Sequence, residues 1–388
     1  MSHNLDEDSG ELIELTKELL RVRSENPPGD QSAIAEFLES KMKEIGLQVE
    51  KYDYEPGKPN VIGKLVGKNR RPILMLNGHV DTVPAGDIDM WRSNPFEPVV
   101  RDGKLYGRGA ADMKGGLAAM IYAAKKIIDA ELDLSGSLLV TCVVDEEVTG
   151  YGTQSLVDRG YTADFAIVGE PTELAVLTAH KGALEFTVTT TGKSAHGSTP
   201  RKGLNAIYKM SKVCLALEKY LDELEKTRHP LVGSPTISVG KIHGGTAVGV
   251  VPEKCQIWVE RRTVPEESLD DVKAGIETLL KRLRDADSEL NVDWKVTLEV
   301  DASETPSESP IVKRSLEAVS EVTGTTATAK GFVAVCDMRF LVNQGRIPTV
   351  ILGPGSMDQA HVTDEYVEIQ QLVNSAKIYY LTAKKLLQ

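Results

Sequence analysis

The sequence has few of the features that mark secreted or membrane-spanning proteins. Cysteine occurs only four times in 388 residues, at widely spaced positions, and no two cysteines form a CxxC pair. A chain of this length can bury a large core without cross-links, so we expect buried free thiols rather than disulfides. No apolar run approaches the roughly 18 to 20 residues of a membrane helix, and the start, MSHNLDEDSGELIEL, lacks a signal-peptide core. These absences predict a cytoplasmic protein.

Basic residues are fewer than acidic ones. The chain has 57 acidic and 45 basic residues, which gives a formal net charge of -12 at pH 7. Because phosphate backbones and anionic lipid surfaces attract basic proteins, we expect neither nucleic acid nor a membrane as a partner. The apolar fraction of 41% is ample for a folded core, and the length predicts two domains of ordinary size.

Short apolar runs alternate with helical segments along most of the chain. Apolar residues recur at helical spacing in segments 9–22 and 32–45, and again from Gly115 in GGLAAMIYAAKKIIDA. The short runs that we interpret as buried strands are ILML at 73–76, SLLVTCVV at 137–144, FAIV at 165–168 and TVIL at 349–352. This alternation predicts an α/β fold, in which helices cover a sheet.

The region between about residues 181 and 300 has a different pattern. It reads as strand, helix, two strands, helix and strand, which is the split βαβ or ferredoxin-like order of a small separate domain. The segment DASETPSESP from Asp301 is rich in Ser, Pro and acids, as expected of an exposed connection. We therefore predict one domain formed by residues 1–180 and 301–388, with a second domain, 181–300, inserted into it.

Histidine and acidic residues follow the four predicted core strands. ILML leads into His79 and Asp81, SLLVTCVV into the acids at 145–147, FAIV into Glu170, and TVIL into a GPG turn followed by His361. In open α/β sheets, ligands bind beyond the carboxyl ends of the strands. We therefore expect these side chains to converge on one site.

Each of these residues has a plain structural explanation when it is taken alone. An isolated HxD is most often a turn, Asp112 in GRGAADMKGG could cap the helix that follows, and a run of acids is usually a solvated loop. A single histidine in a loop, such as His361, is usually a surface residue. Together, however, two histidines and several carboxylates match the nitrogen and oxygen ligands that zinc prefers. Their combination predicts a metal site.

Six motifs, taken in order, resemble those of one known family. NGHVDTVP, GRGAADMKGG, DEEVTGYGT, GEPTE, SAHGSTP and GPGSMDQAHVTDEY are similar to motifs of zinc aminoacylases, acetylornithine deacetylases, succinyl-diaminopimelate desuccinylases and carboxypeptidase G. The resemblance covers nearly the whole chain. It implies a zinc-peptidase-like catalytic domain with a central mixed sheet flanked by helices, an inserted ferredoxin-like (βαββαβ) lid domain, and a homodimer formed through that lid.

The resemblance also implies the metal ligands. Asp112 would bridge two zinc ions, for which cobalt is a possible substitute. His79 and Glu170 would complete the first metal site, and Glu147 and His361 the second.

Three further residues take roles in the reaction by the same resemblance. Glu146 would be the general base, and Asp81 would orient the imidazole of His79. His196 in SAHGSTP would reach the active site of a neighbouring subunit and stabilise the oxyanion. The structural alternative for SAHGSTP is a flexible hinge between a strand and a helix.

Substrate recognition is implied less uniformly. Arg262 in ERRTVP matches an arginine that binds the substrate carboxylate in relatives, although its neighbour Arg261 is an alternative assignment. The chain departs from the family pattern at Gly249, where relatives often carry asparagine, and around Cys336 and Asp337, where many members have Gly-Gly-Thr-Asp. Both departures lie near specificity elements.

The expected reaction is the metal-dependent hydrolysis of an amide bond in a small N-acyl amino acid. Deacylation of the acetylornithine type is our first choice, because GPGSMDQAH resembles that branch. Desuccinylation of succinyl-diaminopimelate, dipeptide or carboxypeptidase cleavage and deformylation remain open. A metal-binding scaffold is the non-enzymatic alternative, but it would have no use for Glu146. A phosphate-loop protein is disfavoured, because GRGAADMKGG lacks the GxxxxGK[ST] spacing.

Overall fold

Residues 9–388 are described by a computed structural model, in which the chain forms two units. The first unit contains the residues up to 178 together with 305–330 and 336–388, and the second contains 179–304 and 331–335. The boundaries predicted after residues 180 and 300 stay predictions, as do the catalytic and lid roles of the two units.

Regular elements account for most of the chain. The helices are α1 (Ser9–Arg21), α2 (Ser32–Glu44), α3 (Lys114–Asp129), α4 (Tyr151–Asp158), α5 (Ala206–Leu224), α6 (Leu269–Ala286), α7 (Pro310–Thr323) and α8 (Ile369–Leu387). The strands are β1 (Gln48–Glu55), β2 (Lys58–Leu65), β3 (Ile73–His79), β4 (Val99–Arg101), β5 (Lys104–Tyr106), β6 (Ser137–Val143), β7 (Phe165–Val168), β8 (Leu177–His180), β9 (Gly182–Thr191), β10 (Thr236–Gly244), β11 (Lys254–Thr263), β12 (Asn291–Val300), β13 (Ser303–Glu304), β14 (Lys330–Phe332), β15 (Thr349–Ile351) and β16 (Tyr366–Glu368).

Six neighbouring strands of a larger mixed sheet form the centre of the first unit, in the order β1-β2-β6-β3-β7-β15. Strands β6, β3, β7 and β15 are parallel neighbours, whereas β1 and β2 are antiparallel to their partners. The four runs predicted as buried strands are these four parallel strands, so their carboxyl ends share one edge of the sheet. The predicted α/β fold with a central mixed sheet flanked by helices is confirmed.

Helix α3 fixes the distance between this sheet edge and the loop before the helix. It packs on α1, α8 and β3, and it is buried along most of its length, as expected of a helix that is apolar on all sides. A Cβ atom added to Gly116 would lie 2.4 Å from the carbonyl oxygen of Gly169. Glycine therefore allows the start of α3, just after Asp112, to approach the strand end that leads to Glu170.

The second unit contains an antiparallel sheet with the order β10-β11-β9-β12. Its core lies between this sheet and helices α5 and α6. The side chain of Asn205 accepts hydrogen bonds from backbone N–H groups at the start of α5, and Ser268 does the same for α6. The order of strands and helices is the predicted βαββαβ arrangement.

The structure also contains elements that the sequence analysis did not assign. These are the β1–β2 hairpin, the small sheet β16-β5-β4, and helices α4, α7 and α8. Strand β1 is hard to recognise because its sequence, QVEKYDYE, is mostly polar and no residue in it is fully buried. Helix α8 is different: its apolar residues recur at helical spacing and could have been identified.

All four cysteines are unpaired, as expected, and Cys142, Cys255 and Cys336 are buried. Among residues 9–388, no helix is both long enough and apolar enough to cross a membrane.

Candidate active site

The shared edge of the four parallel strands collects the acidic and histidine side chains. His79 is the last residue of β3, and the acids at 145–147 begin two residues after the end of β6. Glu170 lies two residues beyond β7, and His361 lies in the loop after β15. Asp112 enters from the loop before α3. The structure thus brings together all five side chains proposed as metal ligands.

Asp112 lies between the two histidines. Its Oδ1 is 3.1 Å from Nε2 of His79, and its Oδ2 is 3.4 Å from Nε2 of His361. Beyond His79 lies Glu170, whose Oε1 is 3.8 Å from the same Nε2. Beyond His361 lies Glu147, whose Oε2 is 3.0 Å from that ring nitrogen. One carboxylate is therefore shared by two sets of nitrogen and oxygen atoms.

Potential ligand atoms are close enough to hold a metal ion. One atom each from His79, Glu146 and Glu170 lies within 4.8 Å of the others, and the same is true of His79, Asp112 and Glu147. Oε1 of Glu170 is buried and makes no hydrogen bond within the part of the chain that is described. Because a buried carboxylate oxygen without a partner is costly, this donor set fits a divalent cation.

Burial and neighbouring charges shift the pKa values of the carboxyl groups at the site. Burial raises the pKa of Glu146 and Glu170 well above the ordinary value, although the nearby His79 opposes this shift. Burial and the charge of Asp112 also raise the pKa of Glu147. In contrast, hydrogen bonds from His361 and His79 outweigh burial and lower the pKa of Asp112. The cluster holds more negative charge than its surroundings compensate, which a cation would relieve.

The pKa values of the two histidines at the site are raised. Burial alone would lower the pKa of His79, but the hydrogen bond to Asp112 and the neighbouring carboxylates raise it well above the ordinary value. Hydrogen bonds to Asp112 and Glu147 raise the pKa of His361 to about 10. His361 also adopts a left-handed backbone conformation, with a φ of 63°, which is uncommon outside glycine.

His79 is oriented by Asp81, although not by its carboxylate. Nδ1 of His79 lies 3.0 Å from the backbone oxygen of Asp81 and 3.7 Å from its Oδ1. A carbonyl oxygen only accepts, so Nδ1 donates its proton, and a neutral ring then offers the lone pair of Nε2 to a metal. The Asp81 carboxylate instead accepts from the backbone N–H groups of Glu146 and Glu147, each at 3.2 Å.

Asp145, the first of the three adjacent acids, has a structural environment of its own. Its carboxylate is buried and accepts hydrogen bonds from Lys58 Nζ at 2.7 Å, Asn26 Nδ2 at 2.8 Å and Tyr54 Oη at 2.8 Å. Asn26 also donates to Oδ2 of Asp81 at 3.0 Å. One carboxamide therefore joins Asp145 to Asp81, the acid whose carboxylate accepts from the backbone of Glu146 and Glu147.

The loop that departs from the family pattern is also buried beside this cluster. Asp337 accepts a hydrogen bond from Thr153 Oγ1 at 2.6 Å, and burial raises its pKa to about 6. Burial also raises the pKa of the Cys336 thiol, with a further contribution from Glu170. The sequence indicates only a departure from the family pattern here, because a buried acid after a cysteine has no local signature of its own.

His196 lies on the second unit, in an exposed loop. The backbone N–H of Ser198 donates to its Nδ1 at 3.1 Å. A neutral His196 therefore carries its proton on Nε2, as a donor to an oxyanion requires.

The two candidate arginines of the second unit have different surroundings. Arg261 is fully buried and paired with Glu267. The side chain of Arg262 is 31% exposed and pairs with Glu260 at 2.5 Å, so solvent reaches it. Near Gly249, an added Cβ would meet no atom within 4 Å.

Comparison with known proteins gives a consistent result. A family model described as peptidase family M20/M25/M40 matches residues 75–385. The chain is 33% identical to N-formyl-4-amino-5-aminomethyl-2-methylpyrimidine deformylase from Bacillus subtilis, over 97% of this chain and 95% of that protein. It is 35% identical to acetylornithine deacetylase from Vibrio campbellii, over 89% of this chain and 90% of that protein.

Solved structures agree on the fold. Aminopeptidase PepT from Bacillus cereus superposes with a TM-score of 0.83 at 23% identity, covering 98% of this chain and 99% of that one. A dinuclear metal-binding peptidase of the M20 family from Bacillus subtilis gives a TM-score of 0.73 at 15% identity, with 97% of each chain covered.

Proposed function

The chain belongs to peptidase family M20/M25/M40, and on this premise we propose that it is a two-metal hydrolase that cleaves an amide bond in a small N-acyl amino acid. The observation that carries the proposal is the position of Asp112 between His79 and His361, with one oxygen facing each ring. A carboxylate so placed suits two ions better than one, because each oxygen has its own set of neighbouring donors.

Five side chains would hold the two ions. Asp112 would bridge them, His79 and Glu170 would complete one site, and Glu147 and His361 the other. The mixed nitrogen and oxygen donors favour zinc, and cobalt suits the same ligands. When bound, two such ions supply Lewis acidity, which acidifies a water molecule and polarises an amide carbonyl.

Glu146 would then act as the general base. Its carboxylate lies beside those of the ligands, within 4.8 Å of atoms of His79 and Glu170. It would accept a proton from the attacking water and return it to the leaving amine. Asp81 would support this step indirectly, because its carboxylate accepts hydrogen bonds from the backbone N–H groups of Glu146 and Glu147.

We assign supporting roles to the second unit. His196 would donate from Nε2 to the negative charge that develops on the carbonyl oxygen, and Arg262 would bind the substrate carboxylate. Both arginines are paired with a glutamate, but Arg262 is favoured, since its side chain is 31% exposed whereas that of Arg261 is fully buried. This unit would act as a lid and form the homodimer. Residence in the cytoplasm stays a prediction.

Deacylation of the acetylornithine type is the first candidate reaction, since several relatives at about a third identity carry that name. Deformylation of an aminomethylpyrimidine is the second candidate, because the deformylase from Bacillus subtilis is 33% identical over 97% of this chain.

The test is a release assay with a panel of N-acetyl, N-succinyl and N-formyl amino acids, dipeptides and the formylated pyrimidine. The protein is first stripped of metal with a chelator and then supplied with zinc or cobalt. We expect metal-dependent amine release from at least one compound. No hydrolysis of any amide, with metal bound, would favour the scaffold interpretation instead.

A further inference from the structure

A buried carboxylate outside the ligand set holds the loop that carries Asp112. Glu365 has no solvent exposure. Its Oε2 accepts hydrogen bonds from Arg108 Nη1 at 2.7 Å and from the backbone N–H of Gly109 at 2.9 Å. Its Oε1 accepts from the N–H groups of Ala111 at 2.8 Å and Asp112 at 3.1 Å. Each carboxylate oxygen of Glu365 therefore accepts two hydrogen bonds, all from residues 108–112.

The same segment supplies another proposed ligand. Glu365 follows His361 by four residues in HVTDEY, and His361 Nε2 faces both Asp112 and Glu147. A second contact joins the two loops at Gly355, where an added Cβ would lie 3.1 Å from the Cβ of Ala111. Gly355 also has a φ of 88°, which favours glycine. The loops that carry Asp112 and His361 are thus tied together at two points, Glu365 and Gly355.

The chemistry of these contacts makes the position of Asp112 sensitive to Glu365. Each N–H group in the turn 109–112 that points at Glu365 would lose its acceptor if the carboxylate were absent, and buried donors without partners cost about 1–3 kcal/mol each. The turn would then rearrange to find other acceptors. Any such rearrangement moves the backbone nitrogen of Asp112 and, with it, the carboxylate between the two histidines.

We propose that Glu365 is a positioning residue that sets where the Asp112 carboxylate stands relative to His79 and His361. The proposal rests on the proposed function, in which Asp112 is shared by two metal ions. Glu365 is not one of the five proposed metal ligands. It acts through the turn 109–112, and Arg108 compensates its charge.

If Glu365 contributed only to stability, its loss would not change metal binding, and a control residue can separate the two effects. Asp164 offers a control, because its carboxylate also pairs with an arginine, Arg71 at 2.6 Å, and accepts from the backbone N–H of Ile73 at 2.7 Å, although its side chain is 28% exposed. It lies just before β7, at the amino end of the strands and away from the proposed ligands. Loss of Asp164 should reduce stability without altering the metal site.

The experiment compares Glu365→Gln with Asp164→Asn in the full chain. The glutamine side chain keeps the size of the glutamate but replaces one acceptor with a donor, which in either orientation of the amide faces two N–H groups. For Glu365→Gln we expect at least about a tenfold loss of Co(II) affinity, a changed visible absorption spectrum of the Co(II) protein, and a kcat at least about tenfold lower with KM nearly constant. For Asp164→Asn we expect an unchanged Co(II) affinity and spectrum, even if its unfolding midpoint falls by as much as that of Glu365→Gln.

A wild-type affinity and Co(II) spectrum in Glu365→Gln would overturn the proposal, as would equal changes in Asp164→Asn. If Glu365→Gln does not fold, Arg108→Met provides the second test, since it leaves Glu365 in place without its counter-charge. We expect an altered Co(II) spectrum and at least about a threefold loss of affinity there; wild-type values would contradict the proposal. If the wild-type chain hydrolyses no amide, the proposed function fails, whereas these binding and spectral measurements still decide the role of Glu365.

Discussion

Asp145, Glu146 and Glu147 are consecutive in the chain and yet meet three different surroundings. Asp145 turns away into a set of hydrogen-bond donors that includes Lys58. Glu146 stands beside His79 and Glu170, and Glu147 faces His361. The left-handed backbone of Asp145, with a φ of 66°, helps the three side chains diverge. Residue type alone therefore does not determine what each acid does at this site.

The role of Glu146 can be separated from metal binding by Glu146→Gln. The amide cannot accept a proton from water, so we expect kcat to fall by about 100- to 10,000-fold. Metal content, measured by atomic emission after gel filtration, should remain that of the wild type. Glu173→Gln is the control, because Glu173 is an exposed acid close to Glu170 in the chain. Near-normal turnover of Glu146→Gln with both metals bound would remove Glu146 from the mechanism.

At the scale of secondary-structure elements, β2 supports the loop after β6 through a buried charge pair. Lys58, the first residue of β2, donates to Asp145 at 2.7 Å; the lysine side chain is 21% exposed and the aspartate is fully buried. Tyr54 and Asn26 donate to the same carboxylate. The β1–β2 hairpin, which the sequence did not predict, thus helps to place the predicted acids at 145–147.

Lys58→Met should therefore destabilise the protein. It leaves the buried charge of Asp145 with neutral donors only, and we expect the free energy of unfolding to fall by about 1–3 kcal/mol in urea titrations. Lys68→Met is the matched control, since Lys68 pairs with Asp133 at 2.6 Å but both side chains are 68% exposed. That change should cost less than about 0.5 kcal/mol. Equal losses in the two variants would mean that burial of the Lys58 pair adds nothing.

The edge of the sheet on which the site forms could be predicted from the sequence. ILML and SLLVTCVV are apolar runs of strand length that end abruptly in polar residues, and both are core strands. Such a boundary is a local signal. The contacts of Glu365 and Asn26 have none, because their partners lie far away in the chain: Arg108 is 257 residues from Glu365, and Asp145 is 119 residues from Asn26. Only the fold brings these groups together.

At the scale of the whole molecule, the proposed ligands come from both ends of the first unit. His79, Asp112, Glu147 and Glu170 precede the second unit in the chain, whereas His361 follows it. The site therefore requires β15 and its loop to return to the sheet after the insertion. Metal binding should stabilise the folded state of this unit, because the unfolded chain does not hold the ligands together.

Metal binding should also depend on pH in a defined direction. In the metal-free protein, hydrogen bonds to neighbouring carboxylates favour the protonated form of both rings: they raise the pKa of His361 to about 10, and they raise the pKa of His79 despite its burial. A metal ion must displace these protons, so affinity should increase as pH rises from about 6 to about 8, roughly tenfold per pH unit for each proton released. Calorimetric titrations with cobalt in buffers of different ionisation enthalpy measure this release. His361→Ala should release fewer protons, whereas His243→Ala, at an exposed position of the second unit, should behave like the wild type; no proton release would contradict the ligand assignment.

Anomalous diffraction from zinc-loaded crystals would locate each metal ion relative to the Asp112 carboxylate. If Asp112 is shared by two ions, we expect two anomalous peaks about 3.5–4 Å apart, with one oxygen of Asp112 on each, His79 and Glu170 at the first peak, and Glu147 and His361 at the second. A single peak, or peaks that Asp112 does not contact, would contradict it.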